Sequence, residues 1–81
     1  MRIRVHVTPR VGVLDPQGKA VAGGLKSLGF NEVGEVRVGK VIDVTVEGLS
    51  EEQALERGRA MAKQLLANEV VEDFDVHVSA N

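Results

Sequence analysis

The sequence predicts an α+β fold, in which two helices lie on one face of an antiparallel sheet. Two observations support this. Apolar and polar residues alternate near both ends of the chain and again in its middle, which is typical of half-buried strands. Two segments between these regions place apolar residues at helical spacing. The 81 residues are enough for a single domain, which we expect to span residues 1–81.

Alternation over residues 2–8 predicts the first strand, and alternation over residues 70–78 predicts the last. The middle segment, residues 33–47, is interrupted by Gly39 and Lys40. A glycine between two alternating runs is typical of a tight hairpin or a bulge. We favour a hairpin, which joins two strands and brings the predicted total to four.

Both helices have recognisable start signals. Asp15 can accept hydrogen bonds from the first free backbone N–H groups, and Pro16 has its φ already set for the first helical position. The first helix is expected over residues 16–28. Ser50 and Gln53 have the spacing of a capping box, which predicts the start of the second helix.

The elements therefore follow in the order β-α-β-β-α-β, for which a ferredoxin-like arrangement or a close variant is the leading topology. With helices on one side only, the other face of the sheet is polar and open. That face and the free sheet edges are candidate surfaces for self-association.

Composition excludes several functional classes. The 10 basic and 12 acidic residues give a net charge of −2, and Phe30 and Phe74 are the only aromatic residues of the Phe, Trp and Tyr class, so we expect no binding to nucleic acid. No apolar stretch approaches the roughly 20 residues that span a membrane. The chain has no cysteine, which fits a cytoplasmic location and excludes disulfides. A core this small usually needs further stabilisation from disulfides, a metal or oligomerisation, and of these we expect oligomerisation.

We expect no catalytic, cofactor-binding or metal-binding residue. His6 and His77 fall on the open sheet face, but no third metal ligand is evident beside them. Arg37 and Lys40 flank Gly39 and could clamp a phosphate, although two cations at a hairpin are more often simply solvated. The pattern of a phosphate-binding loop is missing, and no serine has the context of a nucleophile.

Three short strings carry a family resemblance. They are Val-Leu-Asp-Pro-Gln-Gly at residues 13–18, Arg-Val-Gly-Lys at residues 37–40, and Leu-Ala-Asn-Glu-Val-Val-Glu-Asp-Phe at residues 66–74. In these strings and in the order of its elements, the chain resembles PurS, the small subunit of phosphoribosylformylglycinamidine synthase. Glu69 stands where that family commonly has proline, and Phe74 where it often has tyrosine.

The resemblance implies a non-catalytic subunit of a ligase complex in de novo purine biosynthesis. Such a subunit forms dimers or higher oligomers, bridges the synthetase and glutaminase subunits, and supports ammonia transfer between them. Within the three strings, the candidate partner-interface residues are Asp15, Gln17, Arg37, Lys40, Asn68 and Glu72. The resemblance implies no cofactor for this chain.

A second hypothesis comes from another functional class. The same order of elements serves small dimeric regulatory domains that bind an amino acid or a similar metabolite. In that case residues 15–18 would contact the ligand, which would raise the melting temperature of the protein in a thermal-shift screen.

Overall fold

A computed structural model describes residues 1–79 and confirms the α+β class, with an antiparallel sheet and two helices. The elements are β1 (Arg2–Pro9), α1 (Pro16–Ser27), β2 (Lys40–Thr45), α2 (Glu51–Met61), a turn of π-helix that extends α2 (Ala62–Leu66), and β3 (Glu72–Ser79). The three strands lie in the order β2-β1-β3 in the sheet.

The central strand, β1, supplies the middle of the core. Ile3, Val5 and Val7 are each 0% exposed. Val5 lies opposite Ile42 of β2 and Val76 of β3, so the apolar residues of all three strands share one face. The strict alternation along β1 therefore predicts its buried face correctly.

The second helix, α2, packs on this apolar face. Ala54 and Ala62 are fully buried against the sheet. Gly58 allows the helix to approach closely, because a Cβ there would lie 2.6 Å from Val76 Cγ1 and 2.8 Å from Ile3 Cγ2. The capping box at the start of α2 is confirmed: the Gln53 backbone N–H donates to the Ser50 hydroxyl oxygen at 3.1 Å, and the Ser50 backbone N–H donates to Gln53 Oε1 at 2.9 Å.

The predicted hairpin at Gly39 and Lys40 is wrong. Residues 36–38 form no strand, and the sheet has three strands within residues 1–79 rather than the predicted four. The physical reason is that the backbone N–H of Val38 donates to the carboxylate of Asp15 instead of to a neighbouring strand. Gly39 instead lets the chain pass close to β1, since a Cβ there would lie 2.5 Å from the Val7 carbonyl oxygen.

The first helix, α1, is largely exposed. Its start and end are as predicted within one residue, with Asp15 as the N-cap and Gly29 at φ +100 just beyond the C-cap. Apolar side chains on and after α1 stay accessible, Val21 at 43% and Leu28 at 76%. Of the two helices, α2 therefore supplies the helical part of the core. In residues 1–79, neither helix is long and apolar enough to cross a membrane.

Candidate partner interface

The three strings that carried the resemblance meet at one end of the sheet. Strand β1 ends at Pro9 opposite Glu72, the first residue of β3, and Val7 lies opposite Lys40, the first residue of β2. The connection from β1 to α1 leaves from this same end. We call residues 10–18, 37–40 and 68–72 the signature end of the molecule.

Asp15 connects the first string to the second. Its Oδ1 accepts a hydrogen bond from the Gly18 backbone N–H at 2.9 Å, and its Oδ2 accepts one from the Val38 backbone N–H at 2.8 Å. These bonds, that from Val38 first, lower the pKa of the Asp15 carboxyl below its usual value, and the positive charge of Arg37 acts in the same direction. Asp15 is therefore held as a carboxylate and positions two segments at once.

Gly18 fits the same junction. It is the buried residue of α1, and a Cβ at this position would collide with the carbonyl oxygen of Val36. The close contact between α1 and residues 36–38 therefore requires glycine. Sequence reasoning treated Gly18 only as part of a string, since nothing in the sequence indicates which backbone passes over it.

Three of the candidate residues present accessible polar side chains beside this junction. Gln17 is exposed in the first turn of α1, and Lys40 is exposed at the start of β2. Arg37 is also exposed, with its Nε 3.9 Å from Glu35 Oε1. Within residues 1–79, Lys40 has no ion-pair partner. The cationic groups of Arg37 and Lys40 and the amide of Gln17 are therefore accessible.

Asn68 and Glu72 close the third string into a compact turn. The Asn68 backbone N–H donates to Glu72 Oε1 at 2.8 Å, and the Glu72 backbone N–H donates to the Asn68 carbonyl oxygen at 2.7 Å. The Asn68 side-chain oxygen accepts from the Val70 backbone N–H at 3.1 Å. Both side chains are thus used within the turn, which gives them a structural role whatever else they contact.

Arg10 joins this turn to the connection after β1. Its backbone N–H donates to the Val71 carbonyl oxygen at 2.9 Å, and its Nε donates to the Glu72 carbonyl oxygen at 3.3 Å and lies 3.4 Å from Asp73 Oδ1. Sequence reasoning missed Arg10, because an exposed arginine after a strand carries no signal of its partners. The signature end thus consists of two connected halves, one around Asp15 and one around Asn68 and Glu72.

An open cleft lies beside Asp15. It is lined by Gly12, Val13, Leu14, Asp15, Lys19, Glu35 and Val36. The lining brings the carboxylates of Asp15 and Glu35 and the ammonium group of Lys19 together with apolar side chains.

The two histidines share the open face of the sheet, as the alternation predicted. The rings of His6 and His77 are 5.4 Å apart between centroids. Asp75 lies beside them, and one possible ligand atom from each of the three residues lies within 4.8 Å of the other two. Asp75 shares a face with His77 by alternation, but its place opposite His6 depends on the strand register, which the sequence did not reveal.

Comparison with known proteins agrees with the resemblance. The family model described as PurS: phosphoribosylformylglycinamidine (FGAM) synthase matches residues 2–80. The chain is 44% identical over 77 residues to the phosphoribosylformylglycinamidine synthase subunit PurS of Synechocystis, covering 95% of this chain and 77% of that protein.

Solved structures show the same fold. The crystal structure of Methanocaldococcus jannaschii PurS, one of the subunits of formylglycinamide ribonucleotide amidotransferase in the purine biosynthetic pathway, superposes with a TM-score of 0.84 at 38% identity, covering 96% of this chain and 94% of that one. A chain in the structure of PurLQS from Thermotoga maritima superposes with a TM-score of 0.82 at 32% identity, covering 94% and 93%. A match over nearly the full length, in both sequence and fold, means that this chain belongs to the PurS family of phosphoribosylformylglycinamidine synthase.

Proposed function

We propose that this chain is the non-catalytic small subunit of phosphoribosylformylglycinamidine synthase, and that it bridges the synthetase and glutaminase subunits and supports ammonia transfer between them. Membership of the PurS family supports the assignment to this enzyme. The likeness to a chain in the PurLQS structure supports a role inside a complex of subunits. The cytoplasm is the location that this proposal implies.

The signature end is the surface that we assign to the partners. The observation that carries this assignment is the convergence of three strings, distant in sequence, on one end of the sheet. Asp15, Asn68 and Glu72 hold the backbone of that end through hydrogen bonds. Gln17, Arg37 and Lys40 project accessible polar groups from it. The first set fixes the shape, and the second set supplies contacts.

Charge suits this assignment. Removing a cation at the rim of an interface typically changes the association rate and its dependence on salt. Arg37 and Lys40 are three residues apart on a segment whose backbone is held by Asp15, so their two positive charges are presented from a defined position. We therefore expect acidic groups on the partner surface that meets them.

The test is a double variant, Arg37→Ala with Lys40→Ala, titrated against the two larger subunits while glutamine-dependent amidotransfer is measured. The matched control is Arg59→Ala with Lys63→Ala, which removes the same two types of charge from an exposed surface of the second helix and its π-helical extension. We expect that more of the first variant than of the wild type is needed for half-maximal activity. The concentration needed should also depend less on salt for this variant than for the wild type. The control should titrate like the wild type. Equal titration of both variants would remove the signature end from the interface.

The same preparation tests the non-catalytic role. The purified chain alone should hydrolyse neither glutamine nor ATP, and amidotransfer should require the two larger subunits. Glutamine hydrolysis by this chain alone would overturn the proposal.

We also propose that the chain self-associates as a dimer or a higher oligomer. The core is small, and Leu28 and Phe30 remain 76% and 49% exposed at the end of the first helix. Sedimentation equilibrium of the chain alone at micromolar concentration should give a mass that is a multiple of the 8.7 kDa monomer. A stable monomer under these conditions would contradict self-association.

A further inference from the structure

The open face of the sheet, opposite the packed helix, carries a compact group of possible metal ligands. His6 projects from β1, and Asp75 and His77 project from β3. His6 lies directly opposite Asp75 in the strand register. His77 Nε2 is 2.8 Å from Asp75 Oδ2, and the rings of His6 and His77 meet edge to face at an interplanar angle of 72°.

The spacing suits a first-row divalent cation. One ligand atom from each of the three residues lies within 4.8 Å of the other two. A tetrahedral Zn²⁺ ion with bonds of about 2.0–2.1 Å needs ligand atoms roughly 3.3 Å apart. The His77 Nε2 to Asp75 Oδ2 distance of 2.8 Å is shorter than this spacing, and the other ligand atoms lie no more than 4.8 Å apart, so the group is close enough to surround one ion after small side-chain rotations. Two imidazoles and one carboxylate are a ligand set that zinc accepts, with the fourth position left for water.

The surrounding charges do not oppose a cation. Arg4 is the register partner of His77, which places a guanidinium on the same face. That guanidinium is engaged by Asp43, with Arg4 Nε 2.8 Å from Asp43 Oδ1 and Arg4 Nη2 3.1 Å from Asp43 Oδ2. Asp43 is also 3.8 Å from Arg2 Nη1, and Asp73 lies two residues before Asp75 on the same face. The guanidinium of Arg4, on the residue opposite His77, is thus paired with a carboxylate, and Asp73 is itself paired with Arg10.

We propose that His6, Asp75 and His77 form a binding site for a divalent transition-metal ion of the zinc class. Bound metal would join β1 to β3 across the open face, in addition to their backbone hydrogen bonds. The site lies on a different surface from the packed face of the sheet, and its existence does not depend on the role proposed for the signature end.

The full chain, purified without a histidine tag, is titrated with Zn²⁺ and binding is measured by calorimetry. A second titration with Co²⁺ is followed by visible absorption. We expect saturation at one metal per chain, a visible band typical of tetrahedral Co²⁺, and a higher melting temperature in the presence of Zn²⁺. His6→Gln, Asp75→Asn and His77→Gln should each weaken Zn²⁺ binding by at least about tenfold, because each removes one ligand of a three-residue site.

Asp73→Asn is the matched control, since it removes a carboxylate from the same strand and the same face but from outside the group. It should bind Zn²⁺ as the wild type does. Circular dichroism of each variant without metal identifies any that fails to fold, and the remaining ligand variants still decide the question. Failure of the wild type to saturate would overturn the proposal. Binding that is unaffected by all three ligand substitutions would do the same.

Discussion

The carboxylate of Asp15 accepts a hydrogen bond from the backbone N–H of Val38 at 2.8 Å, across 23 residues of chain. The same carboxylate caps the first helix by accepting from Gly18. One side chain thus fixes both the start of α1 and the path of the segment that leads into β2. A helix cap alone would explain only the first of these bonds.

Substitutions at Asp15 should separate these two tasks. Asparagine caps helices about as well as aspartate, but its amide has one oxygen and can satisfy only one of the two donors. We expect Asp15→Asn to lower the melting temperature and Asp15→Ala to lower it further, because alanine satisfies neither donor. Thermal unfolding followed by circular dichroism measures both. Equal melting temperatures for the asparagine variant and the wild type would show that the bond to Val38 contributes nothing.

The stability of the wild type should depend on pH through the same carboxylate. Hydrogen bonds from Val38 and Gly18 lower the pKa of Asp15 in the folded protein. A lowered folded pKa contributes stability that is complete above the unfolded pKa of about 3.9 and is lost as pH falls through the folded pKa. The free energies of unfolding of the wild type and Asp15→Asn, measured with urea, should therefore differ by a constant amount near neutral pH. This difference should shrink below about pH 4. If the difference between the wild type and Asp15→Asn instead grew as the pH was lowered, this prediction would be wrong.

Salt should distinguish Asp15 from Asp43, whose pKa is also lowered, chiefly by its hydrogen bond from Arg4. Asp43 acts through an exposed ion pair, which added salt screens. The hydrogen bond from Val38 to Asp15 is donated by an uncharged backbone amide, so added salt should weaken it less than it weakens the ion pair of Asp43. The effect of Asp43→Asn on unfolding should accordingly decline in high salt, while that of Asp15→Asn should persist.

The capping box of α2 makes a simpler prediction. Ser50→Ala removes the hydroxyl that accepts from the Gln53 backbone N–H and should cost about 1 kcal/mol of unfolding free energy. Ser27→Ala is the control, because Ser27 is the exposed last residue of α1 and caps nothing at a helix start. Its effect should stay within about 0.5 kcal/mol. If urea unfolding showed the same loss of unfolding free energy for Ser50→Ala and Ser27→Ala, the capping box would not stabilise α2.

The sequence contains the local signals of this fold but not its long-range partners. Alternation identified Ile3 and Val5 as core residues, and the cap at Asp15 was readable from its neighbours. Alternation around Val38 predicted a strand that does not form, since a carboxylate distant in sequence takes its N–H group. The same limit applies to the metal-ligand group, because Asp75 and His6 come together only through the register of β1 and β3.

Two glycines of α1 provide the sharpest test of the junction. Gly18→Ala places a Cβ against the carbonyl oxygen of Val36, so residues 36–38 must move away and the bond from Val38 to Asp15 is strained or lost. We expect a loss of about 1–3 kcal/mol, which is typical of overpacking, despite the better helix propensity of alanine.

Gly23→Ala is the matched control within the same helix. A Cβ there meets nothing within 4 Å, and Gly23 is not among the glycines with positive φ. This variant should therefore gain about 0.5–1 kcal/mol from helix propensity and a less flexible unfolded chain. Urea unfolding measures both effects, and hydrogen exchange of the Val38 amide should accelerate in Gly18→Ala alone. If both substitutions stabilised the protein, α1 would not be held against residues 36–38 in solution, and the shape assigned to the signature end would be incorrect.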